Sequence, residues 1–147
     1  MSELQDIMHV EKRDLVGIVA QFFAEGYRLV QVGCSTLPNA YELTYSFDRE
    51  NRLRHQRITV APDEEVPSIS VIYPSAFLYE NEIHDLFGVN ITNIAVDYRG
   101  TLYQTALSTP FSIGNVKLPE TPKQKSIAHG EKPETAKVEA EEAGKKE

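Results

Sequence analysis

The sequence is poor in cysteine and in clustered histidine, and each shortage argues against a class of site. Cys34 is the only cysteine in 147 residues. The chain alone can therefore form neither an internal disulfide nor a CxxC zinc site, and it cannot hold an iron–sulfur cluster by itself. His9, His55, His84 and His129 are scattered, and no glycine-rich phosphate loop is present. We therefore expect no resident metal and no other cofactor.

Long apolar stretches are also lacking. No run approaches the roughly 20 apolar residues that span a bilayer. The N-terminal residues MSELQDIMHVEKRD have no apolar signal core. We therefore predict a cytoplasmic protein that reaches a membrane only through partner subunits.

Basic residues are outnumbered, and their distribution argues against nucleic-acid binding. The formal net charge is -7, and residues 1–116 account for all of it with 15 acidic against 8 basic residues. A nucleic-acid binder needs the opposite balance. The tail, residues 117–147, holds seven Lys and seven Glu and few large apolar residues. Such a composition cannot offset its ordering entropy. We predict one domain over residues 1–116 and a disordered tail over 117–147.

The domain itself shows the patterns of an α+β protein. Residues 4–25 have apolar residues at helical spacing, with Gly26 as a stop. Four strand-like segments follow, separated by turn residues: Tyr27–Ser35, Tyr41–Phe47, Leu53–Val60 and Ile69–Tyr73. Turns this short predict an antiparallel sheet of about four strands. With a second helix after the sheet, the pattern indicates a two-layer α+β sandwich.

The second helix, predicted over 75–88, carries an unusual set of charges. Its expected core stripe consists of five apolar residues: Ala76, Tyr79, Ile83, Leu86 and Phe87. Glu82 and Asp85 lie on one flank of this stripe, and Glu80 and His84 on the other. From spacing alone, four interpretations stay open. They are a solvated acidic face, a metal site formed by Glu80, His84 and a third ligand, acid–base catalysis by Glu82 and Asp85, and carboxylates that meet basic groups of a partner subunit.

The helix and the residues before it resemble the signature of one family. Tyr73-Pro74-Ser75-Ala76, Glu80-Asn81-Glu82 and Asp85-Leu86-Phe87-Gly88 are similar to the motif of the C subunit of the respiratory NADH–quinone oxidoreductase (complex I) and its counterparts in membrane-bound nickel–iron hydrogenases. That motif reads Pro, a short spacer, Glu-Arg-Glu, two residues, Asp, an apolar pair and Gly. The resemblance implies that Glu80, Glu82, Asp85 and Gly88 form a subunit interface.

The resemblance also implies a function. Members of this family are non-catalytic, cofactor-free adaptors that dock on a large nickel–iron or quinone-site subunit and a small iron–sulfur subunit. Here Asn81 replaces the central Arg, and the basic segment usual after the Gly in complex I members is absent. Both departures favour a subunit of an energy-converting hydrogenase, which couples ferredoxin-linked hydrogen evolution to ion translocation. The alternatives are the C subunit of an NADH–quinone oxidoreductase and a stand-alone binding module.

Overall fold

The fold is α+β, as the sequence pattern predicts. The computed structural model describes residues 6–118; the predicted disorder of 117–147 falls mostly outside them. In chain order, the elements are: β1 (Asp6–His9), α1 (Leu15–Ala24), β2 (Arg28–Thr36), β3 (Tyr41–Arg49), β4 (Arg52–Val60), β5 (Glu65–Pro67), α2 (Ala76–Phe87) and β6 (Asn90–Thr92).

The main sheet has four strands in the order β1-β4-β3-β2. Strands β2, β3 and β4 are antiparallel, as predicted, whereas β1 runs parallel to β4 at the edge. The β3–β4 hairpin turns at Glu50 and Asn51, which both have positive φ, at 53° and 62°. A two-residue turn with positive φ at both positions matches the twist of the strands it joins. The sheet is therefore mixed.

The prediction of a helix from residue 4 is wrong for the start of the described chain. Residues 6–9 pair with Arg54–Arg57 of β4 instead, and the Val10 amide continues that ladder to the Arg57 carbonyl. A short 3-10 turn at Lys12–Asp14 then leads into α1, which buries Leu15, Val19 and Phe22. Long-range pairing with the sheet has outweighed the local helical pattern.

The core lies between the two helices and one face of the sheet. This face carries Tyr41 and Phe47, and both contact helix side chains. The Phe22 ring of α1 packs 4.9 Å from that of Phe47, and the Phe87 ring of α2 packs edge-on to Tyr41 at 6.4 Å. Both helices therefore cover the same face, which confirms the two-layer arrangement.

The predicted strand at Ile69–Tyr73 is wrong, and its residues instead turn over α2. The amides of Ile72 and Tyr73 both donate to the Ile69 carbonyl. Just before this turn, β5 pairs in parallel with β6, and the Ser68 amide donates to the Thr92 carbonyl. These bonds hold residues 68–70 beside α2, where the Ser68 hydroxyl and the Ile69 amide contact Glu80 of the helix.

Candidate functional site: the motif helix and the segments bonded to it

Helix α2 has most of the apolar face that its sequence predicts, although Leu86 is half-buried and lies outside the core cluster. Ala76 and Ile83 are buried, and Tyr79 and Phe87 pack against the core. The Tyr79 hydroxyl donates to the Val30 carbonyl at 3.1 Å, at the point where the pairing of β2 with β3 shifts register. The helix ends at Gly88, whose φ of 78° is the left-handed conformation typical of a helix stop. Ser75 occupies the N-cap position of the helix, but its side chain makes no capping hydrogen bond.

Glu80 is fully buried, which the helical projection did not indicate. Its side chain is 0% exposed. One carboxylate oxygen accepts from the Ser68 hydroxyl at 2.5 Å, and the other accepts from the Ile69 amide at 2.8 Å. Burial raises the pKa of the carboxyl, and these two hydrogen bonds oppose that rise. Glu80 therefore joins the turn at 68–70 to helix α2 through two hydrogen bonds.

Asn81 performs the same role for the segment after β6. Its side-chain amide donates to the carbonyls of Phe77 and Val96, at 2.7 and 2.8 Å. Its side-chain oxygen accepts from the Tyr98 amide at 2.9 Å. Every polar group of this buried amide thus has a partner, apart from one acceptor lone pair. Asn81, which stands where the family motif has arginine, therefore joins helix α2 to residues 96–98 through hydrogen bonds.

Asp85 is also buried and bonded within the chain. One of its oxygens accepts from the Tyr103 amide at 3.0 Å, and the other lies 3.1 Å from Nδ1 of His84. A Cβ added at Gly100 would lie 3.7 Å from the His84 ring and 3.9 Å from Asp85, so the turn at residue 100 passes close to both side chains. The interpretation of a solvated acidic face, one of the four left open by the spacing, is therefore wrong for Glu80 and Asp85.

Glu82 and Gly88, the other two predicted interface residues, are placed differently. Glu82 is half-buried, and within residues 6–118 its carboxylate enters no hydrogen bond or ion pair. Gly88 is exposed, and an added Cβ there would lie 3.2 Å from Cγ2 of Thr109. The segment of Thr109 is fastened nearby, because the Phe111 amide donates to the Leu86 carbonyl at 2.8 Å. Contact of the four residues with a partner stays a prediction.

The site thus consists of one helix bonded to three segments: the turn at 68–70, the residues 95–98, and the residues 103–111. Sequence patterns alone did not predict the partners Ser68, Ser70, Tyr98 and Tyr103. Ser70 accepts from the Ala95 amide at 2.8 Å, which joins two of these segments. The Ser-Ile-Ser pattern at 68–70 was an available signal, because serine hydroxyls commonly bond nearby backbone in turns.

Two further titratable side chains are Cys34, which packs against the core, and Tyr45, which lies within it. Burial raises the pKa of the Cys34 thiol to about 12 and raises the pKa of Tyr45 further above its usual range.

Among residues 6–118, no group of three or more His, Cys, Asp or Glu residues could hold a metal ion. In the same part of the chain, no helix is both long and apolar enough to cross a bilayer.

The fold occurs in a respiratory membrane complex. A chain from the structure of the membrane-bound sulfane sulfur reductase, described as an archaeal respiratory membrane complex, superposes with a TM-score of 0.64. The match covers 94% of this chain and 88% of that one at 17% sequence identity, and so shows a shared fold.

The family follows from the sequence itself. The chain belongs to the family of the respiratory-chain NADH dehydrogenase, 30 Kd subunit, whose model matches residues 8–112. A relative is the C subunit of the NADH-quinone oxidoreductase of Chelativorans sp. (strain BNC1), which is 30% identical over 95 residues. That match covers 61% of this chain and 44% of the relative, so the chain spans less than half of the relative's length. The predicted membership of this complex I family is confirmed.

Proposed function

We propose that the chain is a non-catalytic adaptor subunit of a membrane-bound energy-converting nickel–iron hydrogenase. It docks on the large nickel–iron subunit and the small iron–sulfur subunit, on the cytoplasmic face of the membrane, and touches the membrane only through the complex. The observation that carries the proposal is the family match over residues 8–112, which includes helix α2 and all three segments bonded to it.

The bonding around α2 supports an architectural role. Both oxygens of Glu80 and both oxygens of Asp85 have partners within the chain. A general acid or base must reach a substrate atom, and a fully buried carboxylate does not. The Cys34 thiol, with its pKa raised to about 12, is a poor nucleophile at neutral pH.

Two features favour the hydrogenase branch. Asn81 replaces the central arginine of the family motif, and its buried side chain is bonded to the backbone of Val96 and Tyr98. From Gly88 to Phe111 the chain also has a single basic residue, Arg99.

The corresponding subunit of an NADH–quinone oxidoreductase is the second candidate. It is favoured by the 30% identity with the Chelativorans protein. The two candidates share the adaptor role and differ in the complex they serve.

The test is purification of the native complex through a tag fused after Glu147, followed by identification of its members and metal analysis. We expect a large subunit and a small iron–sulfur subunit to be recovered with the chain, with nickel present and with hydrogen evolution from reduced ferredoxin. Recovery of a flavin-bearing subunit with NADH oxidation, and without nickel, would decide for the second candidate. Recovery of the tagged chain without other subunits would contradict the adaptor proposal altogether.

A further inference from the structure

Exposed apolar side chains occur on helix α2 and along the segments that follow it and are bonded to it. Among the described residues, eleven large apolar side chains are exposed, and six of them fall within residues 78–111. We call these six the apolar ridge: Leu78, Val96, Tyr98, Tyr103, Leu107 and Phe111. Each is 39–54% exposed. Single exposed apolar residues are ordinary, whereas a cluster marks an interaction surface.

The ridge is held in place by the motif helix. Asn81 bonds the backbone of Val96 and Tyr98, and Asp85 bonds the amide of Tyr103. The ring of Tyr98 stacks on Phe77 of α2 with centroids 6.4 Å apart. At the other end of the helix, the ring of Phe111 packs on Phe87 at 5.5 Å. A surface ordered before binding loses little conformational entropy when a partner docks.

The charge around the ridge is mainly acidic. Residues 71–111 contain four carboxylates and one arginine. Two of these carboxylates belong to Glu80 and Asp85 and are buried, while Asp97 is exposed and Glu82 is half-buried. Neither Glu82 nor Asp97 has an ion-pair partner within residues 6–118. A complementary surface would present basic groups at these two positions.

We propose that the apolar ridge is the docking surface for another subunit of the complex, one whose contact surface is apolar and bears Lys or Arg opposite Glu82 and Asp97. The inference rests on the proposed adaptor function and adds to it the surface and the chemistry of the partner. The motif helix then acts on docking in two ways, because Asn81 and Asp85 position the ridge segments while Leu78 and Glu82 face the partner.

Other occupants fit the ridge less well. Residues 119–147 contain only two large aliphatic side chains, Ile127 and Val138, too few to cover six. A second copy docked symmetrically through the same ridge would bring Glu82 and Asp97 towards the same acidic surface. An anionic bilayer would meet like charge as well.

The experiment compares matched aspartate substitutions in the full-length tagged chain. Leu78→Asp and Leu107→Asp alter the ridge, and Leu53→Asp is the control, because Leu53 at 49% exposure matches Leu78 at 48% but lies on β4. Glu82→Arg tests the charge, with Glu50→Arg in the β3–β4 turn as its control. We expect recovery of the partner to fall at least about tenfold for the three ridge-side variants. Both controls should keep it, and all five chains should melt as single folded species.

A photo-reactive phenylalanine at position 107 identifies the occupant, with position 53 as the control site. We expect the crosslink from 107 to join a segment of another subunit that contains apolar residues and Lys or Arg. Crosslinks only between copies of this chain, or to lipid, would overturn the proposal. So would full recovery of the partner by the ridge variants, or an equal loss with Leu53→Asp. If the wild-type chain recovers no subunit at all, the adaptor function fails first, and that result is distinct from failure of the ridge.

Discussion

The buried carboxylate of Glu80 allows a sharp test of the role assigned to the motif helix. In Glu80→Ala, the Ser68 hydroxyl and the Ile69 amide both lose their acceptor at a site that is 0% exposed. The stranded Ile69 amide costs about 1–3 kcal/mol, and truncation of the buried side chain leaves a cavity that adds to this. The Ser68 hydroxyl can turn to the Ser70 oxygen, and removal of the buried charge returns part of the loss. We expect a loss of about 2–4 kcal/mol in the free energy of unfolding. For a domain of this size, that is a fall in Tm of about 10 °C or more.

Glu80→Gln should behave differently. The glutamine oxygen can still accept from the Ile69 amide, and its NH2 group can donate to the Ser68 oxygen. The Ser68 hydroxyl can then turn to the Ser70 oxygen, which lies 2.6 Å away. We expect Glu80→Gln to stay within about 1 kcal/mol of the wild type at neutral pH. Glu82→Ala and Glu82→Gln are the controls on the same helix, and each should change stability by less than about 0.5 kcal/mol.

The dependence on pH gives an independent check. Burial raises the pKa of Glu80 above its ordinary value of 4.5, so the folded protein binds this proton more tightly than the unfolded chain does. Relative to Glu80→Gln, the wild type should therefore lose stability as the pH rises from about 4.5 through the folded-state pKa, and stay level above it. Urea melts followed by circular dichroism between pH 4 and 8 would measure this difference. A Glu80→Ala chain as stable as the wild type, or a wild type that gains on Glu80→Gln with rising pH, would refute the reasoning.

Four further predictions follow from other contacts. Gly88→Ala should destabilise the domain by about 1–2 kcal/mol, because φ is 78° and Thr109 lies 3.2 Å from the added Cβ; its control, Gly17→Ala in an open helical position, should instead stabilise the domain by about 0.5–1 kcal/mol in the same urea melts. The Cys34 thiol, with its pKa at about 12, should react with a disulfide reagent at pH 8 at least about 100-fold more slowly in the folded chain than in urea. Deletion of residues 119–147 should change the unfolding free energy by less than about 0.5 kcal/mol, and a larger cooperative loss would show that the tail docks. Asn81→Arg, which restores the family residue, should destabilise the domain and speed hydrogen exchange at the Tyr98 amide, because a guanidinium cannot accept that hydrogen bond.

Sequence patterns were sufficient to predict a helix or strand where apolar residues dominated one of its faces. The alternation of Tyr41, Leu43, Tyr45 and Phe47 indicates a half-buried strand, and all four side chains are buried in β3. The polar turn after Phe47 and the glycine after Phe87 likewise mark ends of elements, to within two residues. These features depend on local periodicity and turn chemistry, which a single sequence contains.

Features that depend on distant segments were not predictable in the same way. The strand β1 has only four residues and exists because β4 offers it a parallel ladder. Ile69 and its neighbours have an apolar pattern typical of a strand. Instead, the Ile69 amide donates to Glu80 of α2, and the Ser70 hydroxyl oxygen accepts from the Ala95 amide. Helical spacing correctly places Glu80 beside the apolar stripe, but its burial depends on the turn that folds over it.

The polar residues of the motif helix therefore have two different roles: three of them bond other segments of the fold, and one is available to a partner. Glu80, Asn81 and Asp85 are oriented inward and fasten three segments, whereas Glu82, between them, keeps a partly exposed carboxylate. An acidic helix that served only as a docking face would not need to bury two of its three carboxylates, since burial of a charge costs several kcal/mol unless hydrogen bonds compensate it. That cost is met here by bonds to residues 68–70 and to Tyr103. Substitutions at Glu80 and Asp85 should consequently affect assembly through folding, and a substitution at Glu82 should affect assembly alone, so the ratio of lost assembly to lost stability separates the two roles residue by residue.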